Sequence, residues 1–173
     1  HKATGCRIIN ETFPTRRLRG AGVFATEPVP YLAEFAINFL KDFDNIILAG
    51  AKPPVAFFAY PNLPSQLHSE NTELVTLAET DEDITTALIA LADVLGATED
   101  ADTQPRFTPP IESETLCPQS LASVIAELMP EDTIISEEAA TGSLPFYPLT
   151  QGAPRHEVLC LTGGSIGQGL PVS

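Results

Sequence analysis

ELVTLAETDEDITTALIALADVLG, residues 73–96, reads as one buried strand running into one amphipathic helix. ELVTLA (73–78) is a short apolar run of the length a covered parallel strand needs. In the segment that follows, Ile84, Leu88, Leu91 and Leu95 recur at helical spacing and predict one apolar face. Asp81, Glu82 and Asp83 stand at its start, where the positive end of the helix dipole favours carboxylates, and Gly96 ends it. Upstream, NIILAG (45–50) is a second strand-like run closed by glycine. YLAEFAINFLKDF (31–43) places Leu32, Phe35, Ala36, Phe39, Leu40 and Phe43 at helical spacing, and CRIIN (6–10) is a short β-type run. Downstream the alternation returns. PQSLASVIAELMP (118–130) predicts a helix whose apolar face is Leu121, Val124, Ile125 and Leu128, with Pro118 in its first turn and Pro130 stopping it. DTIIS (132–136) and EVLCL (157–161) predict strands, and SLPFYPL (143–149) a short helix between them. Strands alternating with amphipathic helices imply an α/β protein, parallel sheets with flanking helices.

The chain has 173 residues, with nine Lys and Arg against 23 Asp and Glu, a net charge of −14. So acidic a chain repels a phosphate backbone, so nucleic acid is not an expected partner. With 43% hydrophobic residues it can build a core. No apolar run approaches the ~18 residues of a membrane span, so no membrane is expected either. The start, HKATGCRIIN, carries neither Met nor an apolar leader and reads as the interior of a longer protein.

Charge is uneven along the chain. Lys2, Arg7, Arg16, Arg17 and Arg19 fall in the first 19 positions, whereas residues 70–114 hold twelve carboxylates and one base, Arg106. The stretch 97–118, acidic and proline-bearing, reads as a surface linker. The expected division is a first piece 1–96, a linker 97–117 and a second piece 118–173. Arg16, Arg17 and Arg19 suggest an anion site, but a solvated basic turn or salt bridges to the acidic second piece are the favoured reading.

Cys6, Cys117 and Cys160 are odd in number and form no CxxC, so small buried hydrophobes in a reducing, cytoplasmic setting are expected. His1, His68 and His156 are far apart, and no HExxH or Cys/His cluster suggests zinc. His156, in the polar stretch APRHE (153–157), reads as a surface loop residue.

In doubly wound sheets, ligands bind in the loops at the carboxyl ends of strands. Two such loops stand out: SEEAATGS (136–143) and LTGGSIGQGLP (161–171). The second holds Gly163, Gly164, Gly167 and Gly169. Glycines allow close backbone approach and positive φ, and exposed N–H groups there could hold an anion. The loop does not fit GxGxxG, and no ribose-binding acid follows it. On spacing alone, a ligand loop and a plain glycine-rich turn stand at even odds.

EEAATGSLPFYPLTQGAPRHEVLCLTGGSIGQGLPVS (137–173) resembles the opening of the diphosphate-binding domain of thiamine diphosphate-dependent enzymes, in particular the acetolactate synthase large-subunit-like group. ETFPTRRLRGAGV (11–23) and ILAGAKPPVAFFAYP (47–61) resemble that group's central domain. The resemblance implies two incomplete Rossmann-like lobes. Residues 1–96 would be the central domain, lacking its start, and 118–173 the beginning of the diphosphate-binding domain. It implies that the loop of Glu138, Ala140, Thr141 and Gly142 approaches the diphosphate. It implies that the Gly164 carbonyl accepts from the 4′-amino group of the aminopyrimidine, within a G-x-hydrophobic-G element that includes Ser165. The Ile166 side chain would wedge between the two rings and hold them bent.

The family's Mg²⁺ ligands lie in a GDG…N segment beyond Ser173, and its activating glutamate lies in a different domain. Neither Glu137 nor Glu138 is expected to take that glutamate's role. No catalytic residue and no metal ligand are therefore expected within 1–173, and this segment alone is expected to be inactive. The implied whole is a 2-oxo acid decarboxylase or carboligase, a homo-oligomer using thiamine diphosphate and Mg²⁺; FAD has no support in the residues present. The alternative is a non-catalytic binding or dimerisation module derived from that fold.

Overall fold

Apolar runs of five and six residues, separated by the 23 residues 50–72 rather than a tight turn, become a parallel pair with a helix packed against one face. The computed structural model describes residues 1–97, 100–111 and 115–173. Residues 98, 99 and 112–114, all within the stretch expected to be a linker, lie outside the described residues. The chain divides into two compact units, one of residues 1–12 and 26–100, the other of residues 13–25 and 101–173. Residues 13–25 thus belong with the second unit rather than with the piece that surrounds them in sequence.

In the first unit, β1 (Ile9–Asn10) pairs in parallel with β3 (Glu27–Pro28), and only these two residues of CRIIN are strand. Helix α1 (Ala33–Leu40) buries Ala33, Ala36 and Leu40 with Val29 and Leu67, and Ile9, Ile37, Phe39, Phe43 and Ile46 pack against that cluster. Phe35, expected on the buried face, is 64% exposed. Strands β4 (Asn45–Ala49) and β5 (Glu73–Ala78) form a parallel pair with Ile46 opposite Leu74 and Ile47 opposite Val75. Helix α2 (Ile84–Val94) follows, capped by Asp83, whose Oδ1 accepts from Thr86 N at 3.0 Å and whose Oδ2 accepts from Thr86 Oγ1 at 2.8 Å. Gly96, at φ 64°, ends the helix as expected. None of α2 is fully buried; Ile84, Ala87 and Leu91 are half-covered, while Leu88 and Leu95 are exposed. The predicted stripe exists, but two strands are too narrow a surface to cover all of it.

In the second unit, β6 (Thr133–Ser136) and β7 (His156–Leu159) are parallel and adjacent, with Thr133 opposite His156 and Ser136 opposite Leu159. On the other side of β7 lies β2 (Arg17–Arg19), antiparallel, with Leu18 opposite Glu157. This strand has no apolar run to announce it. Helix α3 (Pro118–Leu128) follows the N-cap Cys117, whose N–H donates to Ser120 Oγ at 3.0 Å. The buried face of α3 is not the expected leucine stripe. Ser120, Ala122, Ser123 and Ala126 are buried, whereas Leu121 and Leu128 are 49% and 72% exposed. Small residues let the helix axis approach its neighbours closely, and Val158, Met129 and Phe146 fill the layer between. The short helix α4 (Phe146–Leu149) supplies Phe146, and α5 (Gly169–Val172) is the last element.

The described residues 101–111 of the expected linker belong to the second unit. Gln104 exchanges backbone hydrogen bonds with Gly22 and Val23, both 2.9 Å, and Phe107 N donates to Gly152 O at 2.8 Å. A Cβ on Gly152 would lie 2.6 Å from Phe107 Cβ, so glycine is what lets the two strands of chain touch.

Both units are α/β with parallel strand pairs and flanking helices, a partial Rossmann-like arrangement; β2 and the isolated Val55–Gln66 bridge pair antiparallel instead. Among the described residues, no helix is long and apolar enough to cross a membrane. The cysteines are thiols, but only Cys160 is buried. Cys117 is half-buried at its cap and Cys6 is exposed, because the β-type run around Cys6 never joins a sheet at that position.

Candidate functional site

Because β6 and β7 are parallel neighbours, the chain leaves both at the same edge of the sheet. From β6 it runs through Glu137 and Glu138 into a 3-10 turn, Ala140–Ser143. From β7 it runs into a second 3-10 turn, Thr162–Gly164, and then to α5. The two loops singled out in the sequence therefore emerge side by side.

Glu138 joins them. Its Oε1 accepts from Gly167 N at 2.5 Å and its Oε2 accepts from Gly169 N. Ser136, the last residue of β6, donates from Oγ to Gly169 O at 2.8 Å. Gln168 closes the base of the same turn: its Oε1 accepts from Thr162 N at 3.1 Å, and its Nε2 donates to Cys160 O at 2.9 Å. Gly163, Gly164 and Gly167 have φ of 61°, 75° and 107°, the left-handed region that a side chain would resist. Ile166, between them, is 83% exposed. Among the described residues, nothing donates a hydrogen bond to the Gly164 carbonyl.

In the first turn, Ala140 has φ 46°, a conformation that costs a residue with a Cβ about 1–2 kcal/mol. Thr141 and Gly142 are exposed, and no hydrogen bond among the described residues satisfies the N–H of Ala140 or of Thr141. Of the residues predicted for the site, Glu138 is thus tied to the glycine-rich turn. Ala140, Thr141 and Gly142 share one turn, and Gly164, Ser165 and Ile166 the other; no hydrogen bond among the described residues links these two triplets directly.

Ser136 and Gln168 were not singled out as candidates, yet they hold the turn. Their signal was position: one ends a strand, the other is the only long polar side chain among the glycines of 163–169.

A half-buried polar network surrounds Tyr147. Tyr147 donates to Glu137 Oε2 at 2.9 Å, and its hydroxyl sits 3.8 Å from Cys160 Sγ. Burial, with Cys160 and Glu137 as negative neighbours, holds the Tyr147 phenol far above its ordinary range. Burial likewise pushes the Cys160 thiol up. Arg17 and Arg19, from β2, place their guanidinium groups 5.9 and 4.8 Å from the centre of the Tyr147 ring, and Arg19 donates to Tyr147 O at 2.6 Å. Burial and the like charge of Arg17 lower Arg19 to about 10. Arg16 instead pairs with Glu157 on the adjacent strand. Arg16 thus makes a salt bridge of the expected kind, whereas Arg17 and Arg19 form no solvated turn: they lie half-buried in β2 against Tyr147.

His156 is a correction. It is fully buried on β7 rather than on a surface loop, because β7 begins one residue before EVLCL and turns that side chain into the core. Its Nδ1 lies 2.7 Å from Pro154 O, and its Nε2 is buried with no partner among the described residues. Phe146 meets it edge-on at 6.4 Å. Burial holds its imidazole below the ordinary value.

The chain is 41% identical over 172 residues, 99% of its length, to the protein named "Putative acetolactate synthase large subunit IlvX" of Mycobacterium tuberculosis. It spans about a third of that relative's length, 33%. No family model matches the chain, and no solved structure does. The likeness to that relative runs over nearly the whole chain.

Proposed function

We propose that the chain is part of a thiamine diphosphate-dependent 2-oxo acid decarboxylase or carboligase of the acetolactate synthase kind, with residues 118–173 opening the diphosphate-binding domain and residues 1–96 belonging to the central domain. The observation that carries this reading is the pairing of two loops at one sheet edge, one with open N–H groups and a hydroxyl, the other offering an exposed Ile166 on left-handed glycines. The donor set suits the cofactor. The N–H groups of Ala140 and Thr141 and the Thr141 hydroxyl would hold diphosphate oxygens, an arrangement that favours a polyanion. The Gly164 carbonyl, which accepts from no donor among the described residues, would take the aminopyrimidine amino group. Ile166, bulky and apolar, would keep the two rings from lying flat and so fix the productive geometry. When bound, thiamine diphosphate supplies the nucleophilic carbon and electron sink that loss of CO₂ from a 2-oxo acid requires. Mg²⁺ would join through the diphosphate, and these residues include none of its carboxylate ligands.

Calorimetric titration of the chain with thiamine diphosphate and Mg²⁺ tests this. Saturable binding that weakens in Thr141→Ala and in Ile166→Gly is expected. If no heat of binding appears at any Mg²⁺ concentration, the reading fails and the non-catalytic binding or dimerisation module replaces it.

A further inference from the structure

We infer that Glu138 is a positioning residue, a carboxylate clamp that holds the turn of residues 163–169 in one pose, and not a ligand of the bound cofactor. Both of its oxygens are committed, Oε1 to Gly167 N and Oε2 to Gly169 N. Among the described residues no Lys or Arg pairs with it, so backbone N–H groups alone meet its charge. The approach is built into the sequence at both ends. A Cβ on Gly169 would lie 2.8 Å from both Glu138 Cβ and Glu138 Oε2, closer than real Cβ atoms come, so a glycine there is what admits the carboxylate. Ser136 holds the carbonyl of the same glycine at 2.8 Å, so Gly169 is gripped on both of its peptide groups.

A carboxylate pointed at a diphosphate would repel it. One folded back onto the N–H groups of Gly167 and Gly169 instead rigidifies the loop that presents Gly164 and Ile166. The role in cofactor binding rests on the function proposed above; the clamp itself does not.

The test uses the full chain, with Glu138→Gln and Glu138→Asp. Gln keeps the shape but replaces one acceptor by an NH₂ group that faces an N–H, and Asp falls short of one of the two. Amide hydrogen exchange at residues 162–170 is expected to accelerate about tenfold or more in both variants, the size expected from losing a charge-assisted hydrogen bond. Protection of the β6 and β7 amides should stay as in the parent. Thiamine diphosphate with Mg²⁺ should bind about tenfold more weakly, through loss of preorganisation.

Unchanged exchange at 162–170 overturns the clamp. Loss of β6 and β7 protection in both variants also overturns it, because Glu138 would then support the whole unit. Tighter cofactor binding in Glu138→Gln would make the carboxylate a competitor and overturn the inference. If the parent chain binds no cofactor, the proposed function fails by itself, and faster loop exchange with an intact sheet still supports the clamp.

Discussion

Each unit has a pair of parallel strands with a helix leading away, and the two differ in what stands at the carboxyl end. After β4, Gly50 has φ 62°, and the space where its Cβ would be is filled by the Ile84 side chain from the start of α2. After β6 and β7, the corresponding space holds a hydroxyl, a carboxylate and backbone N–H groups. The topology that opens a crevice is common to both. An apolar branched side chain fills that place in the first unit, and polar groups with glycines line it in the second. Function follows from the side chains that line a strand end rather than from the strand order.

The sharpest way to break this comparison is to damage one unit and watch the other. Leu40→Ala removes a fully buried side chain from the first unit and is expected to cost about 2–5 kcal/mol. Hydrogen exchange should rise in β4 and β5 and stay at parental levels in β6 and β7. Equal loss in both would mean that the units unfold as one.

Next in size are two glycines, Gly50 just after β4 and Gly169 at the start of α5. Gly50→Ala forces a Cβ into the left-handed region and is expected to cost about 1–2 kcal/mol in urea unfolding. Its steric conflict is with the flexible tip of Ile84, so pairing it with Ile84→Ala should leave the backbone cost alone. Gly169→Ala meets Glu138 Cβ and should instead disorder the loop, seen as faster exchange at 162–170 with little change in the urea midpoint.

A smaller, pH-dependent effect separates the cores. His156 is held below the free imidazole value of 6.5 by burial, partly offset by its bond to Pro154 O. The unfolded state therefore binds the proton more readily than the folded state. His156 contributes stability that is full above pH 6.5 and is lost as pH falls through the lowered folded value. The urea midpoint of the second unit should drop over that interval, and His156→Gln should flatten the slope. A slope that persists in the variant would assign it to other groups.

The smallest effect is expected from Glu157→Gln. The variant removes an exposed ion pair with Arg16. The urea midpoint should move barely beyond error, and less still in high salt. A large shift would mean that the β2–β7 edge depends on that pair.

Much of this molecule was legible because continuous apolar runs and helical periodicity are local signals. NIILA, ELVTLA and TIIS are strands although Ile47, Val75 and Ile134 stay exposed, and Ile84–Val94 and Pro118–Leu128 are helices with the stops the sequence predicts. Strand β2 was not legible. RLR alternates charge with one leucine, and its pairing with β7 bridges a sequence separation that no local pattern encodes. The buried face of α3 was misread because hydrophobicity ranks leucine above serine and alanine, whereas close packing selects the smaller side chains. His156 was misread because its neighbours are polar and its burial depends on where β7 begins. Within the site, the glycines and Ile166 announced the turn, but nothing in the order of residues joined Glu138 to Gly167 and Gly169, 29 and 31 positions away.

Local propensity and apolar periodicity, both short-range properties of the chain, determined by themselves strands β4 to β7, helices α1 to α4 and the two loops worth watching. Only the tertiary structure decided which strands became neighbours, which face of α3 was buried, and that the carboxylate of one loop would grip the N–H groups of the other. Those outcomes depend on groups distant in sequence meeting at hydrogen-bonding range, and the parallel pairing of β6 with β7 is what brings them there.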